Sequence, residues 1–122
     1  KGFKKYKHLV PLWSLNKAQT IEEVYAWFNR VKRLVAEYNL SHEPQLPAPS
    51  FVVTYKFDGL SINLLYNEEG LLEHAATRGN GVVGEEILAQ VKTIKTIPLR
   101  INYRGPIEIH GEGLMTKQAF AE

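Results

Sequence analysis

Phe51-Val52-Val53-Thr54-Tyr55-Lys56-Phe57-Asp58-Gly59-Leu60-Ser61-Ile62-Asn63-Leu64-Leu65-Tyr66-Asn67-Glu68-Glu69-Gly70-Leu71 carries the pattern from which the fold is read. Residues 51–57 are rich in β-branched and aromatic side chains, which predicts a strand. Asp58-Gly59 breaks it. Residues 60–66 predict a second strand, and Asn67-Glu68-Glu69-Gly70 supplies the polar loop of a hairpin. Residues 71–78 then return as a third strand. Strands joined by so short a loop pair antiparallel, so the sheet is expected to be largely antiparallel.

Toward the N-terminus, Pro44, Pro47 and Pro49 mark a stiff linker over residues 40–50. Before it, Thr20 and Glu23 have capping-box spacing. Val24, Trp27, Phe28, Val31, Leu34, Val35 and Tyr38 follow at three- and four-residue steps, which predicts a helix over 20–39 packed on a core by one apolar face. Residues 1–19 are apolar without a period and interrupted by Pro11, so they are expected to be irregular. Toward the C-terminus, Gly79, Gly81 and Gly84 predict a flexible connection. Residues 85–91 predict a short helix. An apolar run follows over 94–101, broken by Pro98. Residues 106–113 predict a further strand, and Thr116 is placed to cap a last helix. There is no internal repeat and no low-complexity tract. Hairpin strands with segregated helices give an α+β fold, a largely antiparallel sheet with packed helices.

Composition narrows the function class. A length of 122 residues fits one domain with a modest core, and 44% hydrophobic with 23% charged is ordinary globular usage. The net charge of +2 does not mark a nucleic-acid binder by itself. Basic residues do cluster, at Lys1, Lys4, Lys5 and Lys7 and at Arg30, Lys32 and Arg33; a solvated end and a solvated helix face account for them. With no cysteine, disulfides and thiolate metal sites are excluded, and a reducing cytoplasm is the expected location. No apolar run is long enough to span a bilayer, and the basic start lacks the apolar stretch of a signal peptide. The chain has no starting Met and stops just after a helix start, so it reads as a fragment, expected to be monomeric.

Three stretches carry side chains capable of chemistry. In Tyr55-Lys56-Phe57-Asp58-Gly59, strand alternation puts Thr54, Lys56 and Asp58 on one face. A lysine between aromatic neighbours is expected to be partly desolvated, which favours the neutral, nucleophilic amine. Asp58 can orient that amine or help hold a metal ion, and Gly59 lets a bulky ligand come close. Alone, K-x-D-G also describes an edge lysine beside a turn. Arg78, ahead of Gly79-Asn80-Gly81, can grip phosphate next to closely approaching backbone; it also describes a solvent-facing arginine at a glycine turn. In Ile107-Glu108-Ile109-His110-Gly111-Glu112, alternation sends Ile107 and Ile109 to the core and Glu108, His110 and Glu112 to the other face. Those three can hold a ribose hydroxyl or a divalent ion, or simply form a polar outer face. One His and two Glu in alternation is not a zinc pattern.

The order and spacing of these pieces resemble the NAD-dependent DNA ligase family over nearly the whole chain. His8-Leu9-Val10-Pro11-Leu12-Trp13-Ser14-Leu15 is similar to the family's H-x-x-P-M-L-S-L segment, which lines the adenine pocket. Lys56-Phe57-Asp58-Gly59 matches the nucleophile motif of nucleotidyltransferases. Ala76-Thr77-Arg78-Gly79-Asn80-Gly81 matches A-T-R-G-D-G. Val91-Lys92-Thr93-Ile94 with Ile97-Pro98-Leu99 resembles V-R-T-I-x-x-I-P-L, and Glu108 to Glu112 resembles E-V-R-G-E.

The resemblance implies a partial nucleotidyltransferase (ATP-grasp-like ligase) adenylation domain over 1–122. Residues 1–19 would be its adenine-pocket segment, 20–39 a helix, 40–50 a linker and 51–122 the sheet-rich nucleotide-binding core. It implies that Lys56 attacks NAD to form lysyl-AMP and that AMP then passes to the 5′ phosphate of nicked duplex DNA, in replication and repair. Asp58 would assist Lys56 or a magnesium ion. Ser14, Leu15, Thr54, Gly59, Arg78 and Glu112 would contact the nucleotide, Glu112 at the ribose. No residue of this chain is implied as a dedicated metal ligand, and zinc would belong only to parts of the parent that lie outside this sequence. Without those parts the fragment is expected not to seal nicks.

Departures from the family pattern point to a divergent paralogue. Thr54 replaces a glutamate that helps recognise adenine, Asn80 replaces an aspartate, His110 an arginine, and Asn16-Lys17 an Asp-Asn pair. An ATP-dependent ligase or RNA-capping enzyme is disfavoured by the H-x-x-P-x-x-S-L segment. A degenerate, non-catalytic ligase-like module that binds DNA or protein is the alternative that the departures favour.

Overall fold

A computed structural model describes residues 2–122; Lys1, one of the basic residues at the start, lies outside them. The chain forms two units, Lys1–Trp13 with Lys56–Glu122, and Ser14–Tyr55. The first holds β1 (Lys5–Lys7), β2 (Leu60–Tyr66), β3 (Leu72–Thr77), β4 (Val83–Glu85), the short helix α2 (Leu88–Val91), β5 (Ile107–Gly113) and α3 (Lys117–Ala121). Helix α1, Ile21–Asn39, belongs to the second. This is the expected α+β class: β2 is the middle strand of an antiparallel three-stranded sheet ordered β3-β2-β5, and β1 pairs antiparallel with β4.

Register explains the core. Ile62, Leu64 and Tyr66 share one face of β2, opposite Thr77, Ala75 and Leu72 on β3 and opposite Gly111, Ile109 and Ile107 on β5. Ile62, Leu64, Tyr66, Leu72 and Ala75 are buried there with Ile87 and Val91, and Leu88, Ile97, Ile101 and Ile107 pack around them. The Tyr66 hydroxyl stays satisfied by donating to the Pro98 carbonyl at 2.7 Å. Ile109, expected in this core, is 39% exposed and lies outside it. The hairpin loop forms as expected. Asn67 Oδ1 accepts the N–H groups of Glu69 and Leu71, an arrangement that asparagine makes readily.

Four local expectations need correction. Residues 51–58 join no strand, and all of them are exposed. Strand propensity needs a ladder partner to become a strand, and these residues have none in either sheet. Residues 1–19 are not wholly irregular, since β1 sets Lys5, Tyr6 and Lys7 against Glu85, Gly84 and Val83. The glycine-rich connection is a defined turn: Gly79 and Gly81 take φ of 57° and 89°, and Gly81 N–H donates to the Arg78 carbonyl at 3.0 Å. Helix α2 starts at Leu88, because Glu85 is paired in β4 and Glu86 bridges to Ala76.

Within the second unit, α1 has the predicted boundaries and cap. Thr20 Oγ1 accepts Glu23 N–H at 3.2 Å, and the Glu23 carboxylate reaches back to Gln19 N–H at 2.6 Å. Asn39 ties the proline-rich segment to the helix end through both atoms of its amide, giving 2.9 Å to the Leu46 carbonyl and accepting Leu46 N–H at 2.7 Å. Inside its own unit the apolar face meets no buried core, unlike the expectation. None of the helix is buried, and Phe51 is what packs on Trp27 and Phe28, at ring separations of 5.2 and 4.4 Å. One helix and one irregular segment are too little chain to enclose that face.

Candidate functional site

The face of the sheet opposite the core is polar. Ser61 and Asn63 on β2 stand across from Glu112 and His110 on β5, and Leu65 stands across from Glu108. The expected shared face of Glu108, His110 and Glu112 is therefore present. At one end, Glu112 holds the K-x-D-G turn. Its Oε1 accepts Gly59 N–H at 3.0 Å and its Oε2 accepts the Ser61 hydroxyl at 3.3 Å. Hydrogen bonds to a charged acceptor are stronger than neutral ones, so this carboxylate fixes the backbone just beyond Lys56 and Asp58. A carboxylate has about four lone-pair sites, so two remain for a ligand. Gly59 is required here because a Cβ would run into the Gly113 carbonyl oxygen.

At the other end, Glu108 gathers the residues that follow β1. Its Oε1 accepts Leu9 and Val10 N–H at 2.9 and 3.2 Å, and its Oε2 accepts Asn63 Nδ2 at 2.7 Å and the Tyr6 hydroxyl at 3.4 Å. Asn63 Nδ2 also meets His8 Nδ1 at 2.8 Å, and His8 Nε2 meets the Arg78 carbonyl at 3.0 Å. Asn63 and His8 are buried, with 2% and 4% exposure. Asn63 Oδ1 has no partner among the described residues, a cost of roughly 1–3 kcal/mol that Asn63 bears to keep its nitrogen toward Glu108. Arg78 donates from Nη2 to the Leu12 carbonyl at 3.3 Å.

Burial, reinforced by the Glu108 charge, pushes the Tyr6 phenol up to about 12 from its usual 10. Folding thus favours protonated Tyr6. Its contribution is complete below pH 10 and is lost as pH rises through about 12. Urea unfolding at pH 9 and pH 11.5 is expected to show a larger loss of stability in wild type than in Tyr6→Phe; equal losses would remove this account.

Lys56 is exposed, and Tyr55 and Phe57 are 90% and 63% exposed. The expected aromatic desolvation of Lys56 is therefore absent: without a strand, the neighbouring rings do not wall it in. Asp58 is exposed as well. Ser14, Leu15 and Thr54 are exposed residues of the second unit. Within the first unit, Gly59 and Glu112 are brought into contact, while Arg78 joins the His8 to Leu12 segment. Asn63 had no role in the sequence reading, though one amide inside Leu60-Ser61-Ile62-Asn63-Leu64-Leu65-Tyr66 is a visible irregularity in an apolar strand. Asn80, which departs from the family's aspartate, accepts Val82 and Val83 N–H at 2.9 and 2.8 Å through its side-chain oxygen. An aspartate would offer the same acceptor, so the turn survives the exchange.

Residues 1–122 match the family described as NAD-dependent DNA ligase adenylation domain. The chain belongs to that family. A "DNA ligase" of Clostridium novyi is 57% identical over 120 residues, which is 98% of this chain and 18% of the relative. "DNA ligase 2" of Clostridium acetobutylicum is 56% identical over 122 residues, 100% of this chain and 18% of the relative. A Clostridium perfringens "DNA ligase" is 53% identical over 118 residues, 97% of this chain and 18% of the relative. The adenylation-domain chain thus spans about 18% of the length of these relatives. No helix among the described residues is long and apolar enough to cross a membrane.

Proposed function

We propose that this chain is part of the adenylation domain of an NAD-dependent DNA ligase that acts in the cytoplasm on nicked duplex DNA. The carrying observation is the Glu112 carboxylate, which binds Gly59 N–H and the Ser61 hydroxyl and so joins the K-x-D-G turn to the G-E strand. In this reading the neutral amine of Lys56 attacks the α-phosphorus of NAD. A P–N bond forms, the P–O bond to nicotinamide mononucleotide breaks, and the amine gives up a proton to solvent. Arg78 steadies phosphate charge, Glu112 holds the ribose, and Ser14, Leu15 and Thr54 contact the nucleoside. AMP then passes from Lys56 to the 5′ phosphate of the nick, and the 3′ hydroxyl displaces it. Nick sealing is assigned to the longer protein, whose relatives are several times the length of this chain.

Among the described residues no group of three His, Cys, Asp or Glu is arranged to hold a metal. Magnesium keeps most of its waters and is carried on substrate phosphates by one or two carboxylates. Asp58, two residues from Lys56 and exposed, is the carboxylate that would hold it. When bound, magnesium shields the charge that builds up on the phosphate.

Intact mass of the full-length protein, freed of AMP and incubated with magnesium and either NAD or ATP, tests the reading. A gain of one AMP with NAD alone is expected. A gain with ATP alone would assign the chain to another nucleotidyltransferase. No gain with either would favour the non-catalytic module, for which Thr54 and His110 are the departures that speak.

A further inference from the structure

We infer that His8, oriented by Glu108 through Asn63, is a positioning residue for Arg78, an inference that rests on the phosphate role proposed for Arg78. Each hydrogen bond in the chain has one allowed direction. Ionised Glu108 can only accept, and it does so from Leu9 N–H, Val10 N–H, the Tyr6 hydroxyl and Asn63. Asn63 must therefore face it with its amide nitrogen; the flipped amide would set two oxygens against each other at 2.7 Å. The second hydrogen of that nitrogen points at His8 Nδ1, 2.8 Å away, so Nδ1 is the bare acceptor. The imidazole proton is then on Nε2, which donates to the Arg78 carbonyl at 3.0 Å.

Arg78 is where this restraint matters. It lies one residue beyond β3, outside the ladder, and the next residue, Gly79, turns the chain with φ of 57°. Its carbonyl accepts from His8 and from Gly81 N–H at 3.0 Å, which fixes the peptide plane that carries the side chain. The guanidinium is guided by the Leu12 carbonyl, which lies on the same segment that Glu108 anchors at Leu9 and Val10. Burial of His8 and Asn63 keeps water from taking over either bond. Glu108 thus sets the imidazole tautomer at one end of the chain, and the tautomer sets Arg78 at the other.

Two variants of the full-length protein separate this from simple packing. In His8→Gln the amide nitrogen reaches the place of Nε2 and still donates to Arg78, but nothing replaces Nδ1. In His8→Asn the side-chain oxygen replaces Nδ1 and still accepts from Asn63, but nothing reaches Arg78. Lysyl-AMP formation is followed by intact mass at several NAD concentrations. At saturating NAD, His8→Asn is expected to lose on the order of a hundredfold in rate, the usual cost of a misplaced reacting group, while His8→Gln stays within about threefold. Equal rates in the two variants, or a larger loss in His8→Gln, would overturn the inference. If both unfold, nitrogen-15 shifts of His8 in the wild-type protein decide: the Nε2–H tautomer is expected, and an Nδ1–H or doubly protonated ring at neutral pH would overturn it. Wild type that takes no AMP from NAD sinks the proposed function as well. Wild type that does so while its two variants match sinks the positioning role alone.

Discussion

Lys56→Ala in the full-length protein is expected to abolish the gain of one AMP from NAD while leaving the fold intact. The two halves of that result come from different observations. Lys56 is exposed and outside every strand, so its side chain contributes nothing to the core around Ile62, Leu64 and Tyr66. Truncation should then change the thermal midpoint little, as surface substitutions usually do. The chemical loss should be large, because no other amine sits in the turn that Glu112 holds. Removing the nucleophile of a covalent mechanism costs roughly a thousandfold or more. Lys56→Arg should fail equally, since a guanidinium stays charged and is not a nucleophile. Intact mass after incubation with NAD and magnesium checks both variants. Adenylation of Lys56→Ala at the wild-type rate would transfer the role to another residue.

Gly59→Ala is expected to have the second-largest effect, and through geometry alone. The added Cβ would fall on the Gly113 carbonyl oxygen and lie 2.8 Å from Leu114 Cδ2. The carbonyl belongs to the end of β5 and cannot step aside as a flexible side chain would. The turn must move instead, lengthening the 3.0 Å bond from Gly59 N–H to Glu112 and carrying Lys56 and Asp58 with it. A shift near 1 Å in a reacting group costs on the order of a hundredfold in rate, and the overpacking should lower stability by about 1–3 kcal/mol. Gly111→Ala is the control, because a Cβ there meets nothing within 4 Å and should leave AMP uptake near wild type. AMP uptake by Gly59→Ala at the wild-type rate would show that the Glu112 tie is not what holds Lys56 in place.

The departures from the family pattern bear on these results unequally. Asn80 keeps the two backbone bonds its turn needs. His110 is exposed on the polar face. Thr54 is exposed in the second unit, and nothing in the structure explains its exchange. A change in base preference, read by offering donors with other bases in place of adenine, is the expected consequence at Thr54.

Local sequence was enough wherever the determining interaction lies within a few residues. Thr20 and Glu23 set the start of α1, Asn67 to Gly70 set the hairpin, and Leu60 to Tyr66 alternates closely enough to fix β2 and its core face. The order of K-x-D-G, T-R-G-x-G and G-E likewise made the family legible, because spacing along a chain is preserved when a fold is. Tertiary structure decided the rest. Residues 51–57 have the composition of a strand and none of its pairing, since composition alone supplies no ladder partner. Lys5 to Lys7 are mostly charged and yet pair with β4, a partner nearly eighty residues away along the chain. The chain from Glu108 through Asn63 and His8 to Arg78 joins residues far apart in sequence. Only the register of β2 against β5, with the N-terminal segment laid over both, brings them within hydrogen-bond reach, and that register is set by which residues the core must bury.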